Sequence, residues 1–387
     1  MKIVHLALQA PYNEGWGYQE NLLPKYHAKM GHEVTLITTC LMNSIDSVMK
    51  TCEPQDYNSP DGFRVIRVAM KKSRFKKVIS VLRLYDVYDI IKELRPDFIM
   101  VHGLGSFSAL QVKKYVEKVN PDCVVIADNH LDGYNSSIVS GKGVTKWLIR
   151  RSWRFLNKKL RPIYKKVYGV TPNRAEVAKS IFGFSDSIVE ILPAGADDDK
   201  IRFENQASIR STIREKYGIA ENDFMLLTGG KIDQRKNIDQ VMRAVAEINR
   251  DDVKLMVFGN CSDSIKEEIE KLSAHPSIRY IGWINSTDVY DFFLASDLAI
   301  FPGTHSVLWE QACACGVPAM FKKWDGMTHV CVNGNSRFIN GDSKDEIKRV
   351  IQEIAVDRSA LNEMKIKADE CKEEFSYTGI AKRVLKY

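Results

Sequence analysis

The sequence predicts an α/β protein of two domains, each a doubly wound parallel sheet with helices on both faces. The first observation is the alternation of short β-branched runs with longer helical stretches, which is typical of parallel sheets with right-handed crossovers. The second is that this alternation starts again near residue 225, after a Gly- and Asp-rich segment at residues 193–203. The third is the length of 387 residues, enough for two domains of roughly 150–200 residues each.

In the first half, short apolar runs predict strands and the segments between them predict helices. The predicted strands are residues 3–8, 34–38, 63–68, 98–101, 124–127 and 188–192. The predicted helices are one that ends near Met30, followed by residues 78–94, 106–119, 143–165 and 173–182. Because Pro24 is awkward inside the first helix, we expect a late start or a kink there.

The second half repeats the pattern. The predicted strands are residues 225–228, 254–258, 278–281, 298–301 and 318–321, and the predicted helices are residues 238–249, 263–273, 287–295 and 306–315. Residues 193–203 form the natural hinge. Ligands of such sheets bind beyond the carboxyl ends of the strands, so we expect a deep cleft between the two domains.

Composition excludes several classes of protein. An apolar content of 44% and a charged content of 27% are ordinary for a soluble globular chain, and no apolar run approaches the roughly 20 residues that cross a bilayer. Residues 3–8 lead into Pro11 without a cleavage pattern, so we expect no signal peptide. The eight cysteines form no CxxC pair, which favours free thiols in a reducing cytoplasm over a zinc site.

The chain has a net charge of +7, and its basic residues are clustered in the first half. Residues 133–175 contain eleven Lys or Arg and no Asp or Glu, and a second basic cluster comprises Lys71, Lys72, Arg74, Lys76 and Lys77. Apolar residues within 142–166 recur near a helical spacing, so one face is expected to pack on the core. The remaining cations and tryptophans suit an anionic membrane surface, which we favour over nucleic acid because no nucleic-acid-binding signature is present.

A glycine-rich turn with cations stands out at residues 228–237 (TGGKIDQRKN). Gly229 and Gly230 end a strand, which lets the backbone approach a ligand closely, and a helix start follows. Lys231 and Lys236 could neutralise a diphosphate there. A solvated basic turn is the alternative.

A second segment, residues 301–318 (FPGTHSVLWEQACACGVP), contains a helix with one acid. Ser306 is a plausible N-cap, and Gly316 stands where the helix would end. Glu310 has no other obvious partner on this apolar helix, so its carboxylate could accept two hydroxyl hydrogen bonds from a ribose. Complementing the helix dipole is the alternative role for Glu310.

An ordered set of further segments makes a family resemblance specific. These are residues 15–17 (GWG), 31–35 (GHEVT), 95–102 (RPDFIMVH), 191–197 (ILPAGAD) and 375–381 (FSYTGIA). Together with the two motifs above, they make the whole chain resemble the retaining glycosyltransferases of family 4, of the type that builds bacterial surface polysaccharides.

The resemblance implies the GT-B fold, two facing Rossmann-like domains whose C-terminal helix crosses back to the first. It implies an acceptor domain at residues 1–195, a nucleotide-sugar donor domain at 196–370 and a returning segment at 371–387. The implied activity is hexosyl or glycosyl transfer (EC 2.4 type) with retention, without a metal or cofactor, from a UDP- or GDP-linked sugar to a lipid-linked or glycan acceptor. The implied location is the cytoplasm, at the inner face of the membrane.

The resemblance also implies roles for individual residues. Lys231 stands at the family's arginine and Lys236 at its lysine, and both would bind the donor diphosphate as catalytic groups. Glu310 matches the second glutamate of the family's paired motif, which holds the ribose, whereas Pro302 replaces the first. His130 matches the strand-end histidine near the transferred sugar and is the third catalytic candidate, with a purely structural role as the alternative.

The substrate-binding candidates are flexible or polar positions near these groups. They are Gly15, Gly17, Gly230, Thr304, His305, Ser306 and Glu310. In the loop shortened by about four residues relative to the family, we expect the amides of residues 304–306 and the His305 ring to replace the missing glutamate. His102 is expected to have a core or supporting role.

Three alternatives remain open on sequence alone. A nucleotide-sugar 2-epimerase shares the architecture, and an inverting transferase of the same fold is compatible with the missing glutamate. A non-catalytic GT-B binding protein is the alternative outside the enzymes.

Overall fold

The computed structural model describes residues 1–43, 49–72, 74, 76–248, 250–340 and 343–387, and it describes no side chains for residues 76–78. The chain forms two compact units, Met1–Pro193 with Ala381–Tyr387, and Ala194–Ile380. The predicted boundary after residue 195 therefore lies two residues beyond the observed one. Residues 371–380 group with the second unit, so that only the end of the predicted returning segment belongs to the first.

The first unit is built on an eight-stranded sheet in the order β10-β9-β8-β7-β1-β2-β6-β5. Its strands are β1 Lys2–Ala7, β2 Glu33–Thr39, β5 Gln55–Asn58, β6 Arg64–Val68, β7 Phe98–His102, β8 Val124–Asn129, β9 Tyr164–Gly169 and β10 Val189–Ile191, and a separate pair comprises β3 Leu41–Asn43 and β4 Met49–Thr51. All neighbours in the large sheet are parallel except β5, which pairs antiparallel with β6. The predicted parallel sheet is thus correct apart from this edge.

Helices flank the first sheet, and five of them (α1, α3, α4, α6 and α7) bury side chains. They are α1 Gln19–Lys29, α2 Lys76–Leu82, α3 Tyr88–Leu94, α4 Ala109–Lys118, α5 Ser137–Ser140, α6 Val144–Leu160 and α7 Pro172–Ser180. The strands β1 and β7 are buried along nearly their whole length, as expected for central parallel strands. Pro24 lies inside α1, which starts at Gln19, so the expected late start at the proline is not observed.

Two predicted helices of this unit need correction. The helix predicted at residues 143–165 ends at Leu160, because Pro162 cannot continue a helix, and the residues from Tyr164 onwards form β9. The helix predicted at residues 78–94 is divided into α2 and α3. Between them Arg83 has a φ of 50°, and Tyr85 forms an antiparallel bridge with Met70.

The second unit contains a six-stranded, fully parallel sheet in the order β13-β12-β11-β14-β15-β16. Its strands are β11 Phe224–Gly229, β12 Val253–Phe258, β13 Ile278–Tyr280, β14 Leu298–Phe301, β15 Ala319–Lys322 and β16 Ser336–Ile339. Its helices are α8 Gln206–Lys216, α9 Ile238–Ile248, α10 Lys266–Ser273, α11 Val289–Ala295, α12 Leu308–Ala314, α13 Lys344–Val356 and α14 Ser359–Cys371, and α15 Tyr377–Val384 ends the chain. The strand β16 and the helices α8, α13 and α14 were not predicted. Among the described helices, none combines the length and the apolar character that a bilayer span requires.

Two glycines let the backbones after β11 and β12 approach each other. Gly230 has a φ of 111° and Gly259 a φ of 122°, a conformation that other residues rarely adopt. A Cβ atom on Gly259 would lie 1.8 Å from the carbonyl oxygen of Gly230. The carboxyl edge of this sheet is therefore shaped by main-chain contact.

We predict that Gly259→Ala lowers the free energy of unfolding of the second unit by at least about 2 kcal/mol, because strain from the positive φ adds to the backbone clash. Gly282→Ala is the matched control: Gly282 has a φ of 70° with open space around it, so the loss should be about 1 kcal/mol. Chemical denaturation of both variants measures the difference. Equal losses would contradict the close approach of the two loops.

Candidate functional site

A groove lies at the carboxyl ends of β11, β12 and β13 in the second unit. It measures about 500 Å³ and is lined by Gly230, Lys231, Phe258, Gly259, Asn260, Cys261, Ser262, Trp283, Ile284, Val289 and Leu308. Trp283 is an exposed aromatic side chain in this lining, and Lys231 is an exposed cation. The structure thus brings the predicted residues Gly230 and Lys231 into one concave surface, which the first residue of α12, Leu308, also borders.

Lys236 ties the turn after β11 to the loop that precedes α12. Its Nζ donates hydrogen bonds to the carbonyl oxygens of Thr304, at 2.6 Å, and His305, at 3.2 Å. Because an ammonium group has three N–H donors, one remains for a ligand. Burial lowers the pKa of Lys236 to about 8, so its positive charge is lost as the pH rises through that value.

In the loop at residues 302–306, a main-chain amide that was expected to face a ligand is hydrogen-bonded within the protein. The Thr304 amide donates to the carbonyl oxygen of Arg235 at 2.9 Å, so the prediction that this amide faces a ligand is wrong. Gly303 packs on the backbone of Lys236, where a Cβ atom would lie 2.3 Å from its Cα. This close packing of two backbones directs the Thr304 amide towards Arg235.

Ser306 is not the N-cap of α12. The helix begins at Leu308 with Val307 as its N-cap, and no side chain caps it. Val307 already has helical angles, and the Ser306 carbonyl accepts a hydrogen bond from the Trp309 amide. The turn therefore closes through main-chain groups. Gly316 follows the last helical turn with a φ of 66°, as predicted.

Glu310 is completely buried and is held by two histidines. The Nε2 atoms of His305 and His329 lie 2.7 and 2.8 Å from its Oε1 atom. Both partners lie outside α12, which itself supplies none, in agreement with the expectation from the sequence. Burial raises the pKa of Glu310, but the two histidines outweigh this effect and hold it well below the usual range.

The second carboxylate oxygen of Glu310 has a different environment. Oε2 is buried and has no hydrogen-bond partner among the described residues. A buried carboxylate oxygen without a donor costs free energy, so a ligand donor at this position would be favourable. Since Oε1 already accepts two N–H groups, the histidines orient the carboxylate and leave Oε2 without a donor among the described residues.

His329 was missed by sequence reasoning. It lies nineteen residues after Glu310 in the irregular segment between β15 and β16, where no periodicity or motif links it to α12. The only available signal was that a buried acid requires a partner. Its Nδ1 atom is buried without a hydrogen-bond partner among the described residues.

In the first unit, His130 follows β8 and borders a small pocket of about 130 Å³. The pocket is lined by Ala7, Gln9, Ala10, Pro11, Glu20, His102, Gly103, His130 and Leu131. The Nε2 atom of His130 lies 3.3 Å from Asp128 Oδ1, without the geometry of a hydrogen bond. Burial opposes a charge on His130, but Asp128 outweighs burial, so that the pKa of His130 is raised.

His102 has the supporting role expected for it. It is buried at the end of β7, and its Nδ1 atom donates to Asp128 Oδ2 at 2.7 Å. Gly15 and Gly17, by contrast, are exposed, and a Cβ atom on either would meet nothing within 4 Å. Neither lines the pocket that contains His130, although the nearby Pro11 and Glu20 do.

Two clusters contain the residue types that bind metal ions. They are His102, Asp128 and His130, and His305, Glu310 and His329. The shortest nitrogen–oxygen distances are 2.7 Å in each, which are hydrogen-bond lengths. Two ligands of one tetrahedral zinc ion would stand about 3.3 Å apart. Hydrogen bonds join His102 to Asp128 and both His305 and His329 to Glu310, so we assign neither cluster as a metal centre.

The solvent face of α6 is both apolar and cationic. Val144, Trp147, Leu148 and Phe155 are exposed, and Arg151, Arg154 and Lys158 are exposed at interleaved positions on the same face. The opposite face buries Trp153, Leu156 and Leu160 at the expected helical spacing. In the other predicted cluster, Lys71, Lys72 and Arg74 are exposed, whereas the side chains of Lys76 and Lys77 lie outside the described residues.

Part of the second unit matches a known protein family. Residues 209–370 match the family model described as glycosyl transferases group 1. The chain is 23% identical over 174 residues to an alpha-galactosylglucosyldiacylglycerol synthase of Streptococcus pneumoniae, covering 42% of this chain and 45% of that protein. It is 25% identical over 172 residues to the lipopolysaccharide glucosyltransferase WaaG of Escherichia coli, covering 42% and 46%. The matched region thus spans about half the length of these curated relatives.

Solved structures resemble the whole chain. The Anabaena protein Alr3699/HepE in complex with UDP superposes with a TM-score of 0.67 at 15% identity, covering 99% of this chain and 98% of that one. The structure of WaaG, a glycosyltransferase involved in lipopolysaccharide biosynthesis, gives 0.60 at 19% identity, with 98% of both chains covered. These similarities confirm the predicted fold class: two Rossmann-like α/β units of the GT-B type.

We predict that His329→Leu lowers the free energy of unfolding of the second unit by about 1–3 kcal/mol, because Glu310 loses a donor and remains buried. His329→Gln, which keeps an N–H donor, should recover part of this loss. Urea denaturation of the three proteins compares them. A leucine variant as stable as the natural protein would show that His329 does not stabilise the carboxylate.

Proposed function

We propose that this protein is a glycosyltransferase that moves a sugar from a nucleotide-sugar donor to a lipid-linked or glycan acceptor, with retention and without a metal. The observation that carries the proposal is the carboxyl edge of the second sheet. There an exposed lysine and Leu308 of α12 line a groove, and the same helix carries the buried carboxylate of Glu310, which has one oxygen without a partner among the described residues. The group 1 family match of residues 209–370 supports the same conclusion.

The two lysines suit a diphosphate leaving group. Lys231 projects into the groove, and Lys236 keeps one N–H donor after binding two carbonyl oxygens. Negative charge develops on the departing phosphate as the glycosidic bond breaks, and fixed positive groups stabilise that charge. The Alr3699/HepE structure contains UDP, which makes a uridine nucleotide the first donor to test, followed by GDP-linked sugars.

Glu310 suits the ribose of the donor. Its Oε2 atom can accept a hydroxyl hydrogen bond, while His305 and His329 fix Oε1. Because His305 is engaged by Glu310, it does not simply replace the glutamate that Pro302 displaces. The amides of His305 and Ser306 remain the candidates for contact with the donor sugar, and His130 is the candidate for a sugar hydroxyl in the pocket of the first unit.

The donor proposal predicts a nucleotide-dependent rise in the melting temperature. We expect UDP or GDP to stabilise the natural protein and to bind more tightly than its 2′,3′-dideoxy analogue. In Glu310→Gln this preference should fall by about tenfold or more, because a hydrogen bond to a charged group is lost. The exposed Glu267→Gln, in the same unit, is the control.

Nucleotide binding, assays of transfer and epimerisation, and NMR of the product together distinguish the alternatives. No stabilisation by any nucleotide would contradict donor binding. Binding without transfer to lipid or glycan acceptors would favour a non-catalytic protein, and epimerisation of the donor sugar would favour a 2-epimerase. The anomeric configuration of the product, determined by NMR, separates retention from inversion.

We further propose that the solvent face of α6 binds the anionic inner surface of the cytoplasmic membrane. Tryptophan and phenylalanine insert at the headgroup level, and the interleaved cations meet anionic lipids. Two relatives act on glycolipid or lipopolysaccharide according to their names, which agrees with an acceptor held at a membrane. Arg150 is not part of this surface, because it donates to the carbonyl oxygens of Ile138 and Gly141.

The membrane proposal predicts that Trp147→Ser, Leu148→Ser and Phe155→Ser together lower the affinity for anionic vesicles by at least about tenfold, because each inserted apolar side chain contributes more than about 1 kcal/mol. Ile366→Ser, which removes an exposed apolar residue of α14, is the control. Sedimentation with phosphatidylglycerol vesicles measures binding. Equal pelleting of the triple variant and the control would contradict this surface.

A further inference from the structure

Three buried histidines of the first unit form an unbroken chain of contacts from Asp128. Asp128 Oδ2 lies 2.7 Å from His102 Nδ1, and His102 Nε2 lies 3.0 Å from His5 Nδ1. His5 Nε2 lies 3.0 Å from His27 Nδ1, and His27 Nε2 lies 3.2 Å from the carbonyl oxygen of Ala381. The three rings are at most 3% exposed, so water does not replace these contacts.

The number of hydrogens on this chain follows from its two ends. A carboxylate and a carbonyl oxygen only accept, so His102 Nδ1 and His27 Nε2 must each carry a hydrogen. Each of the two contacts between rings needs one hydrogen as well. Four hydrogen bonds therefore require four ring hydrogens, whereas three neutral imidazoles carry three. One additional proton is needed, and the Asp128 carboxylate supplies its counter-charge.

The position of the additional proton follows from the surroundings. Burial lowers the pKa of His5 well below its usual value and that of His27 to about 4, so both rings are neutral near pH 7. His102 touches Asp128 directly. With His102 doubly protonated, His5 and His27 each carry their hydrogen on Nε2, and all four contacts have one donor and one acceptor.

We propose that His102, His5 and His27 form a proton-linked positioning relay, in which His102 is an imidazolium paired with Asp128 and its state is transmitted to Ala381. Loss of the additional proton leaves His102 with its hydrogen on Nδ1. His5 must then donate through Nδ1 to His102, and His27 through Nδ1 to His5. His27 Nε2 is left without a hydrogen, and its bond to the Ala381 carbonyl is lost.

The relay connects the pocket with the last turn of α15. Asp128 Oδ1 faces His130 and accepts from the Gly103 amide at 3.0 Å, so both borders of the pocket depend on an ionised Asp128. Ala381 begins the segment that groups with the first unit.

Among the residues that the structure describes, the following charged, titratable or polar groups lie around the relay. Glu20 favours and Arg174 opposes a charge on His130, and Arg174 is itself paired with Asp132. His32 of the loop after α1 lowers the pKa of His27. The charge of Asp128 raises the pKa of Tyr164 in β9. Gln19 of α1 is a neutral neighbour, with its Nε2 atom 3.5 Å from Asp128 Oδ2. In this set His102 is the ring in direct contact with both Asp128 and His5.

The full-length protein labelled with ¹⁵N-histidine tests the relay directly. At about pH 8, where a free imidazole is neutral, we expect one protected ring with hydrogens on both nitrogens and two protected rings with hydrogen on Nε2. On further alkalinisation the three rings should change together, with His5 and His27 switching from Nε2–H to Nδ1–H. Three neutral rings at pH 8, or rings that titrate independently, would overturn the proposal.

Single substitutions assign the signals. His102→Asn should abolish the imidazolium signal, whereas His130→Asn and the control His32→Asn should leave it. Loss of that signal in His130→Asn would place the proton outside the relay and overturn the proposal. His305→Gln and His329→Gln remove the two rings that donate through Nε2 to Glu310, and the count of protected rings in that background decides the matter even if His102→Asn does not fold. The inference does not depend on the proposed transferase activity, and the spectra require no substrate.

Discussion

A buried carboxylate must be matched by a positive or hydrogen-donating partner, and both units of this protein depend on that constraint. Asp128 and Glu310 are each fully buried near the carboxyl edge of a parallel sheet. Each is approached by two histidines, His102 and His130 for Asp128, and His305 and His329 for Glu310. Burial without these rings would drive each carboxyl to its neutral form, so the ionised acid and the local fold are maintained together.

Much of the fold could be predicted because periodicity and β-branched runs are local signals. Every predicted strand is present to within a few residues, and the restart near residue 225 marks the second unit correctly. The errors arose where a local pattern was ambiguous. The apolar residues on both sides of Pro162 fit one helical pattern, although the helix ends at Leu160 and β9 follows. The four residues of β5 are polar and largely exposed, so no apolar run marks this antiparallel edge strand.

The site was predictable only where chemistry lies in one segment. Gly230 and Lys231 line a common groove. Lys236 binds the loop that precedes α12, and Glu310 lies in that helix. The two motifs, residues 228–237 and 301–318, come together because they begin at the ends of the adjacent strands β11 and β14. Partners from distant segments gave no sequence signal. His5 meets His27 and His102 across separations of 22 and 97 residues, and neither these contacts nor that of His329 with Glu310 could be derived from spacing.

The exposed face of α6 has a practical consequence at the bench. In a cell extract, a surface that combines aromatic rings with cations can bind polyanions and adsorb to chromatography resin and plastic as well as to lipid. Salt screens the cations, since the Debye length falls to about 3 Å at 1 M, but it does not weaken the attraction of the rings for apolar surfaces. High ionic strength will therefore strip nucleic acid from a preparation, whereas losses to tubes and filters will be prevented only by a mild detergent.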